Sequence, residues 1–253
     1  MKISTIDGKI KYFLCVIFYL LIWQIVSMII GEEILLVSPI KVIVRLSELI
    51  FEKEFWQNIC FTCIRILSGF LLALISASIT SVLSYRFNTF RILMMPLVSA
   101  IKATPVASIV IVVLIWVSSR NLSIVISFMM AFPILYCALL SGFDNVDNAL
   151  IEMADIFSFS FFKRFKYIYL PSVINSFISS LTTAIGLAWK SGVAAEVIGL
   201  PDGSLGERLY EAKTFLMSAD IFAITLTVIV ISIIIEKVLS ISVRVIATRS
   251  HLI

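Results

Sequence analysis

The sequence predicts an all-α integral membrane protein, with six transmembrane helices and a cytoplasmic helix-turn-helix between spans 4 and 5. Three observations carry this. The 253 residues are 60% hydrophobic and 14% charged, with a mean hydropathy of +1.09. Soluble domains carry about a quarter charged residues. Apolar runs near the length of a bilayer crossing recur along the chain. Residues 143–171 interrupt them with a charged, amphipathic insert.

The elements follow in order. Lys2, Lys9 and Lys11 precede the first apolar run, 12–30. It is longer than a signal-peptide core and no small-x-small cleavage site follows it, so it reads as an uncleaved span. In "SPIKVIVRLSELIFEKEFWQNI", Ile43, Leu46, Leu49 and Ile50 recur at helical spacing with charges between them. That pattern predicts a surface helix lying along the membrane, with Ser38 as cap and Pro39 in the first turn. Further spans are expected at 61–84, 94–117, 121–142, 172–192 and 219–242. Pro105 and Pro133 fall within two of them and are positioned to kink or break their helices. Pro-Asp-Gly-Ser at 201–204 marks a turn, with a short helix expected beyond it.

Lys and Arg set the orientation. With the N-terminus cytoplasmic, the inner segments hold Lys2, Lys9, Lys11, Arg86, Arg91, Lys163, Arg164, Lys166, Lys237, Arg244 and Arg249. The outer segments hold fewer: Lys41, Arg45, Lys53, Arg120, Arg208 and Lys213. Both termini are therefore expected inside, and so is the insert.

Several function classes lack residues. The single histidine, His251, lies near the end, and Cys60 and Cys63 have the spacing of half a zinc site without a second half. No metal or cofactor is expected in this chain. No basic, aromatic-laced soluble face points to nucleic acid. The Lys-Ser pair of "GLAWKSG" lacks the spacing of a phosphate loop, so any ATP hydrolysis must come from a partner.

The insert has internal order. As a helix over 145–157, Val146, Leu150, Met153, Ala154 and Phe157 fall on one apolar stripe, with Asn148, Glu152 and Asp155 opposite. A second short helix, starting near Ser158 or Ser160, carries Lys163, Arg164 and Lys166 and ends where Pro171 starts the fifth span. Such a hairpin either offers its stripe to a cytoplasmic partner or rests on lipid, its lysines drawn to anionic headgroups.

The spacing of the insert resembles a known family. Glu152-Met153-Ala154, three residues, Ser158, nine residues and Ile168-Tyr169-Leu170-Pro171 match the cytoplasmic loop of ABC importer permeases, Glu-Ala-Ala, three residues, Gly, nine residues, Ile-x-Leu-Pro. Met153 and Ser158 depart from it, and a Ser where the family has Gly is less suited to a left-handed turn. "SPIKVIVRLSELI", "CIRILSGFLLALISA", "IKATPVASIVIVVLIW" and "GLAWKSGVAAEVIGL" resemble the nitrate, sulfonate and taurine branch, near the thiamine-precursor importers.

The resemblance implies a type I importer permease in the bacterial inner membrane. It is expected to be one domain over 1–253, with a family core of about 60–245 and the span 12–30 added in front. Two copies, likened to a homodimer, would form the pathway across the lipid bilayer. An ATPase subunit would dock on Glu152, Met153, Ala154, Phe157, Ser158, Ile168, Leu170 and Pro171, and a solute-binding protein would deliver a small anion or a thiamine-precursor-like compound.

Candidate pathway residues are Lys102, Pro105, Lys190 and Glu196. A lysine costs about 2.5–3.5 kcal/mol at a helix centre, which marks intramembrane cations as functional hypotheses. Lys190 sits near the outer end of its span, where snorkelling or an ion pair with Glu196 are the plainer readings. The alternative function is a secondary carrier or channel not driven by ATP, which requires intramembrane carboxylates. Only Glu236, near the inner end of the last span, answers that description. Against a membrane enzyme stand the single terminal His, the lack of a metal-ligand cluster and the lack of paired carboxylates on facing spans.

Overall fold

The computed structural model describes residues 5–249, all of whose regular elements are helical. The helices are α1 (Thr5–Ile30), α2 (Pro39–Phe51), α3 (Lys53–Arg86), α4 (Asn88–Ala103), α5 (Val106–Val113), α6 (Ser119–Asp144), α7 (Asn148–Ile156), α8 (Phe161–Arg164), α9 (Leu170–Gly199), α10 (Leu205–Thr214) and α11 (Ser218–Arg249). A π-helical turn, Phe165–Tyr169, joins α8 to α9. Four helices are each long and apolar enough to cross a bilayer, and two bent pairs raise the number to six if each pair is one crossing.

The third expected span, 94–117, is not one rod. It is split into α4 and α5, which meet at 107°. Thr104 and Pro105 are both extended, with ψ of 131° and 136°. The helical region is disfavoured for a residue before proline, and proline cannot donate the bond that would carry the helix onward. Pro133 acts differently. Helix α6 runs through it unbroken and buries it.

The chain divides into two compact units. The first comprises residues up to Gln57 together with Arg208–Ile229. Here Pro39 starts α2, and the Ser38 hydroxyl accepts from the Lys41 backbone N–H at 3.5 Å, as the sequence predicts. The segment ends earlier than its sequence suggests: Glu52 is extended, and Lys53 already opens α3. Helix α2 buries Pro39, Val42 and Leu49. Arg45 reaches Asp220 at 2.8 Å and Glu48 at 2.8 Å, while Arg208 pairs with Glu52. The hydrogen bond from Arg45 to Asp220, and then that to Glu48, raises the pKa of the guanidinium further above its ordinary value. The Ser218 hydroxyl donates to the Ile34 carbonyl at 2.8 Å.

The second unit comprises Asn58–Glu207 and the chain from Val230 onward. Helices α6 and α9 lie against each other with α3 beside them, around Phe70, Ala73, Leu135, Tyr136, Ile185 and Ala188. Small residues let the backbones approach, the usual device where lipid offers no hydrophobic drive between helices. A Cβ on Gly69 would collide with the Ile124 carbonyl oxygen, and one on Gly192 would lie 2.6 Å from the Ser127 hydroxyl. The Ser127 hydroxyl donates to the Ala188 carbonyl at 3.1 Å, and the Tyr136 hydroxyl to Ser84 at 2.8 Å.

Candidate functional site

The insert forms a closed hairpin. The Asp147 carboxylate caps α7 by accepting from the Ala149 N–H at 2.9 Å, so the helix starts three residues later than the sequence reading of 145–157. It ends in a left-handed turn. Ser158 has φ of +50°, its N–H donates to the Asp155 carbonyl at 3.0 Å, and the Phe159 N–H donates to the Ala154 carbonyl at 2.9 Å. These two bonds make a Schellman motif, with Ser158 in the place where glycine is usual and Phe159 packed against the buried set that includes Ala154.

The Cβ of Ser158 is a burden in that conformation, by about 1 kcal/mol. Ser158→Gly is therefore expected to stabilise the hairpin by roughly that amount. Slower amide exchange across 148–169 checks it. Unchanged exchange would mean that the turn carries no strain.

Arg164 fastens the second arm to the first. It meets Asp155 at 2.6 Å and donates to the carbonyls of Phe159 at 3.1 Å and Ala154 at 3.4 Å. Val146, Ala154 and Ile168 are buried together between the arms. Tyr169 continues into the membrane part through edge contacts with Tyr85 at 5.8 Å and Phe143 at 6.2 Å. Pro171 occupies the first turn of α9.

The expected stripe is thus split in two. Val146 and Ala154 face inward, and Ala154 is 0% exposed. Leu150, Met153 and Phe157 face out, joined by Ile156, which is 80% exposed. The division follows from the second arm, which lies on the Ala154 side of α7 and takes part of its apolar arc. Glu152 and Ser158 are exposed, whereas Ile168 is buried and Leu170 and Pro171 are half-buried. Sequence reasoning missed the clamp by Arg164. Its only signal was an Arg placed nine residues after Asp155, which is not a spacing that helical periodicity singles out.

The pathway candidates are placed apart in character. Lys102 is exposed at the end of α4, its Nζ 3.4 Å from the Cys137 sulfur of α6. Pro105 stands at the α4–α5 break. Lys190 is exposed on α9, whereas Glu196 is wholly buried, and no ion pair joins them. Six residues apart on one helix, they point to different sides. Glu196 instead accepts from the Thr62 hydroxyl at 2.8 Å, and that hydroxyl accepts from the Leu205 N–H at 3.1 Å. A Cβ on Gly206 would collide with Glu196, so the chain after the 201–204 turn is seated directly on α9. Thr62, unremarkable in sequence, is the joint between α3, α9 and the start of α10.

Among the described residues, no group of three or more His, Cys, Asp or Glu side chains could hold a metal ion.

Residues 69–251 match the family described as "Binding-protein-dependent transport system inner membrane component". The chain is 22% identical over 205 residues to a protein of Bacillus subtilis named as an aliphatic sulfonates transport permease, covering 80% of this chain and 74% of the relative. It is 28% identical over 218 residues to an ABC transporter permease protein of Haemophilus influenzae, covering 84% and 86%. A formylaminopyrimidine transport permease of Halalkalibacterium halodurans is 24% identical over 192 residues, covering 73% and 74%.

Proposed function

We propose, because the chain belongs to the family of binding-protein-dependent transport inner membrane components, that this multi-pass ABC transporter permease docks an ATPase on its hairpin 145–171. The reading rests on one observation above the others. The hairpin carries the family's loop spacing and leaves Leu150, Met153, Ile156 and Phe157 uncovered on a stiffly closed arm. An apolar helix face of this kind suits a groove in a partner, read through anchors at helical spacing. Ala154, Ser158 and Ile168 act from within, holding that face in shape. Leu170 and Pro171 carry movement of the hairpin into α9.

The chain hydrolyses nothing in this scheme, and ATP is consumed by the partner. Two identical copies form the pathway, both termini are cytoplasmic, and a solute-binding protein delivers solute to the opposite side. The whole chain 1–253 serves as one permease domain. The solute proposed is of the sulfonate, nitrate or taurine type, or a compound like a thiamine precursor; the reported relatives that name a solute name aliphatic sulfonates and formylaminopyrimidine. Lys102, Lys190 and the break at Pro105 are the positions proposed to meet it. Glu196 belongs beside them as a buried fastener of the outer end.

The test is co-expression with the ATPase encoded beside this gene, followed by purification through a tag on the permease. Recovery of permease and ATPase in equal amounts, with ATP hydrolysis stimulated by the neighbouring solute-binding protein, is the expected result. Solute uptake that proceeds without ATP and without a bound ATPase would overturn the proposal.

A further inference from the structure

The second arm of the hairpin presents a face that docking on α7 does not use. Phe162 and Lys166 are four residues apart, as are Lys163 and Tyr167, so the four side chains share one face of the arm. All four are exposed. Arg164 and Ile168 occupy the other face and are committed to the hairpin interior, the first to Asp155 and the second to Val146 and Ala154. Among the described residues, neither Lys163 nor Lys166 meets a carboxylate, although Lys166 lies over the Tyr167 ring at 5.4 Å. Two exposed ammonium groups therefore alternate with two exposed aromatic rings.

That composition is the one found where protein meets the headgroup layer. The position agrees. The run Phe162–Ile174 leads directly into the membrane segment Phe177–Gly199 and is inclined to it by 57°. A run of this length is roughly 20 Å long, so at that inclination it moves only about 11 Å along the axis of the span. Taking Phe177 as the inner end of the membrane segment keeps the face near that level. A groove on a soluble partner would favour exposed apolar side chains such as Leu150, Met153, Ile156 and Phe157 of the first arm over ammonium groups set between rings.

We propose that Phe162, Lys163, Lys166 and Tyr167 bind the headgroup of an anionic phospholipid, the lysines meeting phosphate and the rings lying among the upper acyl carbons. This rests on the chain being a membrane protein and is independent of ATPase docking on α7.

The experiment titrates phosphatidylglycerol, and separately phosphatidylcholine, into the purified full-length permease and reads bound lipid by native mass spectrometry. Each juxtamembrane lysine is worth about a fivefold factor toward anionic lipid, so the Lys163→Gln/Lys166→Gln double variant should bind phosphatidylglycerol about 30-fold more weakly. Phosphatidylcholine binding should not change. The Lys163→Arg/Lys166→Arg variant keeps both charges and should bind phosphatidylglycerol as the wild type does. Equal phosphatidylglycerol affinity in the wild type and the glutamine variant would overturn the proposal. So would a glutamine variant that keeps its lipid but no longer recovers the ATPase, because the face would then belong to the protein partner.

Discussion

Phe157→Asp is expected to strip the ATPase from the permease while leaving the permease's own melting temperature unchanged. Phe157 is 68% exposed at the C-cap of α7, and it takes no part in the buried set of Val146, Ala154 and Ile168. Placing a carboxylate there removes an aromatic anchor from the outward face and sets a charge against an apolar groove. Loss of one such anchor is worth on the order of 2 kcal/mol, about 30-fold in affinity. Ala154→Asp, three residues away, should behave differently. Its carboxylate would be buried between the arms beside the Ile168 side chain, at a cost of roughly 3 kcal/mol. It should lower the melting temperature and loosen the whole hairpin, and the ATPase would be lost as a consequence. Pull-down and thermal denaturation on the two variants separate these outcomes. Wild-type recovery of the ATPase by Phe157→Asp would remove the α7 face from the interface.

Gly69→Ala is expected to be among the most damaging single substitutions in the membrane part. The added Cβ meets the carbonyl of Ile124 on α6, and it also lies 3.0 Å from the Ser127 Cβ. The first obstacle is backbone and cannot rotate aside, so α3 and α6 must separate. Overpacking of this kind costs about 3 kcal/mol. Gly186→Ala is the matched comparison. Its Cβ would come within 2.7 Å of a Glu236 carboxylate oxygen, the far end of a flexible side chain. The helix propensity gained from alanine, about 1 kcal/mol, offsets most of the adjustment. Melting curves of both variants in detergent should show a large loss for Gly69→Ala and little change for Gly186→Ala. Similar losses in both would mean that the α3–α6 approach is not specifically tight.

The parts of the fold that depend on local chemistry were legible in the sequence. Ser38 and Pro39 announced the start of α2, Pro-Asp-Gly-Ser announced the turn before α10, and hydropathy located most of the spans. The hairpin was legible through its spacing, and Ser158 drew notice because the turn it occupies favours glycine. What stayed hidden depends on partners distant in the chain. Pro105 marked a possible break, but a 107° bend needs Thr104 extended as well. Periodicity put Ala154 on the same stripe as Phe157, yet only the second arm decides which part of the stripe is covered. Nothing in the run around Glu196 names Thr62, because a buried carboxylate can take any donor that the fold brings to it.

The link from Thr62 to Glu196 also bears on the order in which the protein is made. The two residues are 134 positions apart. At about 5–20 residues per second, synthesis of the intervening chain takes roughly 7 to 27 s. During that interval the rest of α3 is made, and the Thr62 hydroxyl has neither Glu196 nor Leu205 to bind. A threonine can tolerate the delay, since its hydroxyl can bond back to the carbonyl one turn earlier in its own helix. A carboxylate cannot do this. The chain therefore delivers the costly group last, when the hydroxyl that receives it is already in place.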